Sequence, residues 1–264
     1  GPLANRLRDA RFKLGDETYQ IPPNEGPNLL HGGAQGLSRA LWRTDRDGDR
    51  AVRFSLTRAH LEDGFPGDRL FEVEVRLTGY LVRYDMRCRT DRPTVVNLAQ
   101  HNYYSVGLDR PMWSAGLQID ADAYTPVGAD LLPTGEIAPV DGTDFDLREM
   151  QRLDRADRDQ CGLDLNYVVT PKGDAPVARM QASNGLVLRM WSDQPGLQLY
   201  TGGGLRAVGR PLAGQTHASF CGICLEPQGF PDSPNNATFP SVVITPDAPY
   251  RQSLEIEIAP EETA

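Results

Sequence analysis

Apolar and polar residues alternate one for one over long stretches of this chain. Phe71, Val73, Val75 and Leu77 are separated by Glu72, Glu74 and Arg76. Val82, Tyr84, Met86 and Cys88 are separated by Arg83, Asp85 and Arg87, and Leu254, Ile256 and Ile258 by Glu255 and Glu257. A period of two sends one set to a buried face and the other to a solvated face, so each stretch predicts a β-strand. Segments 51–56, 117–119, 186–191, 197–200 and 242–244 are further strand candidates. The 26 glycines and 21 prolines fall mostly between these runs, where turns are needed. Only 57–63 and 144–159 carry a helical pattern. Many short strands without intervening helices predict an all-β fold, a sandwich or barrel. No repeat or linker divides residues 1–264, so one domain is expected.

Charge narrows the class. The net charge is −9, which leaves no basic footprint for nucleic acid or an anionic membrane. No apolar run approaches the ~20 residues that span a bilayer. The first residues, GPLANRLRDARF, lack the apolar centre of a signal peptide. A cytoplasmic protein with neither nucleic-acid nor membrane partners is expected. The four cysteines are few for 264 residues, which fits a reducing compartment. Cys221-Gly-Ile-Cys224 has redox or zinc spacing, but it lies in a strand pattern with no second pair and no following helix. It reads as ordinary buried thiols. There is no HxH, HExxH, GxSxG or P-loop, and no GxGxxG after a strand. No metal and no cofactor are expected.

Three places stand out as candidate chemistry. In 221–240, Ile223 and Leu225 point one way and Cys224 and Glu226 the other. A loop with prolines at 227, 231, 234 and 240 follows. A carboxylate at a strand end before a rigid loop can be presented to a ligand. In 94–101, Asn97, Ala99 and His101 share one face and Val96 and Leu98 the other, so His101 ends a polar face. His31 lies between two leucines and two glycines. Taken alone, each histidine reads as a structural hydrogen-bonder rather than a catalytic group, and His60 and His217 keep that reading. Gly202–Gly204 has no following helix and reads as a turn.

Together the motifs carry a resemblance. Ala4-Asn5-Arg6-Leu7, Leu30-His31-Gly32-Gly33, Gly64-Phe65-Pro66-Gly67, Asn97-Leu98-Ala99-Gln100-His101-Asn102-Tyr103-Tyr104, Pro133-Thr134-Gly135-Glu136-Ile137 and Gln198-Leu199-Tyr200-Thr201-Gly202 occur in that order. Leu225-Glu226-Pro227-Gln228, Pro231-Asp232-Ser233-Pro234-Asn235 and Phe239-Pro240 follow. Over essentially its whole length the chain resembles the aldose 1-epimerases, the galactose mutarotase family. The resemblance implies a large twisted antiparallel β-sandwich, no cofactor, and interconversion of the α and β anomers of a free aldose. It implies Glu226 as the base on the anomeric hydroxyl and His101 as the acid on the ring oxygen. It further implies His31, Arg6 and Asp164 as groups that position the sugar. Asn97 and Gln198 are added as hydroxyl partners, and Tyr103, Phe230 and Trp191 as candidate platforms for the sugar's C–H face. Asp164 is expected to hold His101 partly protonated.

The chain departs from the family in two places. Tyr104 stands where Phe is usual, and four residues precede Asn5 where the family has several dozen of β-structure. The expectation is thus a single domain, 1–264, without those N-terminal strands, acting on a monosaccharide as a monomer or homodimer. Two other readings stay open. One is a non-catalytic carbohydrate-binding protein on the same fold. The other is a related enzyme, such as a sugar-phosphate epimerase or one acting on polysaccharide. A phosphate site would call for clustered cations, and only Arg206 and Arg210 lie near the glycine run.

Overall fold

A computed structural model describes residues 1–105, 112–182, 184–206 and 217–261. Arg210 therefore lies outside the described residues. The strongest alternations form one nine-stranded antiparallel sheet. Its order is Gln151–Arg152, Gly116–Ile119, Ala178–Gln181, Leu186–Ser192, Tyr250–Pro260, Leu81–Thr90, Arg69–Thr78, Ala51–Arg58 and Arg43–Asp47. Arg69–Thr78 and Leu81–Thr90 are joined by a two-residue turn, with Thr78 paired to Leu81. Gly79 takes a positive φ of 59° there, the backbone that such tight hairpins require.

A second, five-stranded antiparallel sheet runs Ala138–Pro139, Ala123–Thr125, Asp164–Val168, Gly196–Tyr200 and Cys224–Gln228. Leu165, Tyr167, Leu197, Leu199 and Leu225 leave it on one side. They pack in a single core with Leu117, Met180, Leu188, Met190, Leu254 and Ile256 of the larger sheet. The two sheets thus form a sandwich, and the expected all-β class holds. Because the side-chain period is two, the other face of the small sheet carries Asp164, Asn166, Gln198, Tyr200, Cys224, Glu226 and Gln228. Strand register aligns Asp164 with Tyr200 and Cys224, and Asn166 with Gln198 and Glu226. No helix among the described residues is long and apolar enough to cross a membrane.

Both helical expectations are corrected. Thr57 and Arg58 end a strand, and 60–63 form a turn. Its Leu61 has φ 60°, outside the helical region. That turn is fixed from a distance: Asp63 accepts two hydrogen bonds from Arg69, at 2.6 and 3.1 Å, and neither side chain is exposed. Asp63→Ala is expected to destabilise the protein by about 3–5 kcal/mol, because it strands a buried guanidinium. A urea midpoint unchanged from wild type would show that the pair does not hold the turn. In 144–159 only Leu153–Ala156 is α-helical. Arg148 gathers Asp122, Asp141 and Asp146 instead of making helical i,i+4 pairs.

Candidate active site

The polar face of the five-stranded sheet forms one wall of a cavity of ≈ 580 Å³. Asp164, Gln198, Tyr200 and Glu226 line it from the sheet. Arg6, Glu25, His31, His101 and Tyr103 line it from segments packed across the sheet's end. A volume in this range holds a small ligand.

Each of these groups is held by a definable contact. Arg6 belongs to the short strand Arg6–Leu7, which pairs with Leu29–Leu30. Asp232 anchors that strand, donating its backbone N–H to the Arg6 carbonyl at 3.0 Å and accepting from the Arg8 N–H at 3.0 Å. The Pro/Asn loop after Glu226 therefore buttresses Arg6 and is not itself among the residues that line the cavity. The Arg6 guanidinium donates to both oxygens of Glu25, at 2.7 and 3.0 Å, and to Asp164 Oδ2 at 3.2 Å. Gln198 donates to the other oxygen of Asp164 at 2.6 Å. The result is a carboxylate, guanidinium and amide array of fixed geometry.

His31 has φ 51°, and the two glycines after it also take positive φ, both 79°, so the chain turns sharply there. Its Nδ1 accepts the Asn5 backbone N–H at 3.1 Å. Nδ1 is thus unprotonated and Nε2 carries the hydrogen. Burial, followed by nearby positive charge, lowers its pKa to about 3. His31 is a neutral hydrogen-bond donor across the working pH range.

His101 follows an irregular segment rather than ending a strand, since only Thr94–Val95 is strand there. Asn97 and Gln100 tie this segment to the strand that carries Glu226. Asn97 donates to the Gly229 carbonyl at 3.0 Å and accepts the Gly229 N–H at 2.7 Å. Gln100 donates to the Leu225 carbonyl at 2.6 Å. Both polar ends of Asn97 are thus spent on backbone, and Asn97 does not line the cavity. Its expected role as a hydroxyl partner is corrected to that of a tether. Trp191 donates to the Asp174 carbonyl and Phe230 packs on Phe239. Of the three aromatic candidates only Tyr103 lines the cavity, with its ring stacked on His101 at 5.1 Å.

The centre of the site is Glu226. It is 2% exposed, and its Oε2 has no hydrogen-bond partner. Its Oε1 lies 3.5 Å from His101 Nε2. Burial, then the charge of Asp164, raises its pKa to about 8. Burial lowers the pKa of His101 despite the attraction of Asp164. The expectation that Asp164 holds His101 protonated is therefore corrected: desolvation outweighs it, and burial disfavours the charged form of both partners.

Cys224, Glu25 and Tyr200 are site residues that the sequence reading did not select. Cys224 Sγ lies 3.4 Å from His101 Nδ1. The alternation that faces Glu226 into the site places Cys224 on the same face, which is the signal that finds it. His101, Cys224 and Glu226 bring ligand atoms within 4.8 Å of one another. However, the thiol meets one ring nitrogen and the carboxylate the other, an arrangement of a hydrogen-bonded chain rather than of a chelate.

The chain is similar to known proteins over nearly all of its length. The sequence model of the family described as aldose 1-epimerase matches residues 1–257. The galactose mutarotase of Homo sapiens is 36% identical over 256 residues, spanning 95% of this chain and 75% of its own. The aldose 1-epimerase of Escherichia coli (strain K12) is 33% identical over 252 residues, spanning 91% and 72%. A crystal structure of an aldose epimerase homologue from C. elegans superimposes with a TM-score of 0.91 at 27% identity, covering 98% of this chain and 81% of that one.

Proposed function

The chain belongs to the aldose 1-epimerase family and is an isomerase that interconverts the α and β anomers of an aldose, and we propose that Glu226 and His101 make its two proton transfers. The observation that carries this reading is the Glu226 carboxylate. It is buried on the cavity wall with one oxygen unpartnered and the other facing an imidazole. A protein does not bury an orphaned carboxylate oxygen without cost. We take the anomeric hydroxyl of a sugar in the cavity to be the group this carboxylate receives.

Ring opening needs two proton movements. Glu226 takes the proton from O1 as His101 gives one to the ring oxygen. The C1–O5 bond then breaks and C1 becomes a carbonyl. Rotation about C1–C2 turns the other face of that carbonyl to O5. Reclosure returns the O5 proton to His101 and the Glu226 proton to O1. Protons balance over the cycle, and the pair holds one proton throughout its resting state. A proton moved from Glu226 to His101 gives the working form without exchange with solvent. An O1 hydroxyl donating to the carboxylate stabilises it and favours that form.

Arg6, His31, Asp164 and Gln198 hold the sugar's remaining hydroxyls: His31 donates, Asp164 accepts, and Arg6 and Gln198 are fixed by their own partners. This reading has residues 1–264 act as one domain on a monosaccharide, an aldohexose or aldopentose. It disfavours a sugar phosphate. Among the described residues lining the cavity, Arg6 is the only arginine or lysine, and Glu25 and Asp164 neutralise it. Polarimetry of fresh α-D-galactose and α-D-glucose tests the reading. We expect faster decay of rotation than in buffer, and a kcat/KM for glucose 6-phosphate ~10-fold or more below that for glucose, because like charge is unfavourable at this wall. No acceleration with any free aldose would sink the reading.

A further inference from the structure

We propose that Cys224 is the positioning residue of the acid, holding the imidazole of His101 by Nδ1 so that Nε2 alone exchanges protons. The proposal rests on His101 being the acid, as argued above. Its basis is geometric. Cys224 lies on the site face of the strand that also carries Glu226, one alternation before it. Sγ approaches His101 Nδ1 at 3.4 Å, while Glu226 Oε1 approaches Nε2 at 3.5 Å. The imidazole is thus clamped edge-on between two residues of one strand. Tyr103 stacks on its face.

The proton inventory assigns the sulfur its part. For a proton that moves between Glu226 and Nε2, two arrangements exist. Either the carboxyl donates to Nε2, or Nε2–H donates to the carboxylate. In both, Nδ1 carries its own hydrogen, and the groups that face it, Cys224 Sγ and the backbone carbonyl of His101 itself, must accept. After Nε2 gives its proton to the ring oxygen, Nδ1–H is still in place. Sγ therefore accepts from Nδ1 through the whole cycle, and the moving proton never leaves the Nε2 side.

A thiol suits this position better than the carboxylate that orients many catalytic histidines. Burial pushes the Cys224 thiol well above its ordinary pKa, so it stays neutral. A neutral, polarisable acceptor orients the ring without stabilising the imidazolium. A carboxylate there would hold the proton on His101 and weaken it as an acid.

The test uses three variants of the full chain, with Glu226→Gln measured beside them. We expect Cys224→Ala to lower kcat ~10-fold, the loss of about one modest hydrogen bond, with KM within ~2-fold of wild type. Cys224→Ser restores an acceptor and is expected to recover most of the loss. Cys224→Asp is expected to move the acid limb of the pH–rate profile to higher pH. Nitrogen-15 NMR of His101 at pH 7 is expected to show the hydrogen on Nδ1 in wild type and on Nε2 in Cys224→Ala. A wild-type spectrum with the hydrogen on Nε2 overturns the proposal, whether or not the alanine variant folds. So does Cys224→Ala with wild-type kcat, or Cys224→Ser no better than alanine. A failure of the acid–base assignment reads differently, as full activity in Glu226→Gln.

Discussion

Glu226→Gln is expected to lower kcat by ~10²–10⁴-fold, the range over which a positioned base contributes, with KM changed little. The amide has nearly the shape of the protonated acid, so it preserves the packing and the approach to His101. It cannot take the O1 proton. The neighbouring groups cannot substitute for it. Asp164 is engaged by Arg6 and Gln198, and His31 has its Nδ1 occupied by Asn5. Steady-state polarimetry after subtraction of the buffer-catalysed rate gives the measurement. Activity within ~3-fold of wild type would remove Glu226 from the mechanism.

The same substitution is expected to stabilise the protein at high pH. The Glu226 carboxyl titrates at about 8 when folded, against its ordinary 4.5, because the folded state binds its proton more tightly than the unfolded state. The stabilisation from that proton is complete below pH 4.5. It falls away as pH rises toward and through 8, when the native protein must bury a charge or unfold. The total is on the order of 3–5 kcal/mol. Glutamine carries no such titration. Urea midpoints of wild type and variant are thus expected to lie close together at pH 5 and to separate at pH 9 in favour of the variant. Activity and stability oppose each other at this residue, because the carboxylate that serves the reaction is buried.

The strand framework was legible because burial on one side of a sheet writes itself into alternation. Val73 and Met86 pair across neighbouring strands just as their spacing in the sequence requires. The two helical expectations failed where long-range pairs decide the backbone: Asp63 with Arg69, and Arg148 with Asp122 and Asp141. No local pattern records such partners. Glu226 was legible as a polar residue opposite Ile223 and Leu225, and the family motifs brought in His101, Arg6, His31, Asp164 and Gln198, all of which line one cavity. Asn97 shows the limit of the same logic. A face identifies which way a side chain points but not what it meets, and Asn97 meets the Gly229 backbone. Glu25 lies in a loop without periodicity, and only the guanidinium of Arg6 reveals its place. Cys224 carried the signal and was outweighed by the usual fate of a buried cysteine.

The pH–rate profile of wild type is expected to be bell-shaped, and each single variant to show one titration only, of slope opposite to the wild-type limb set by the same group. The first macroscopic ionisation of the pair lies below 6.5, because burial lowers the pKa of His101. The second lies near 8, because burial raises that of Glu226. Between them the pair holds the one proton that the cycle needs. Below the window an extra proton removes the base, and above it no acid remains. The limbs are therefore reversed relative to the roles: the acid limb reports His101, and the alkaline limb reports Glu226. His101→Gln is expected to lower kcat ~10²–10³-fold. Its residual rate needs only an ionised Glu226, so it should rise with pH through the carboxyl's titration and then level. The residual rate of Glu226→Gln needs only a protonated His101, so it should fall as pH rises through the imidazole's titration. A bell that survives unchanged in either variant would mean that the titrating groups lie elsewhere.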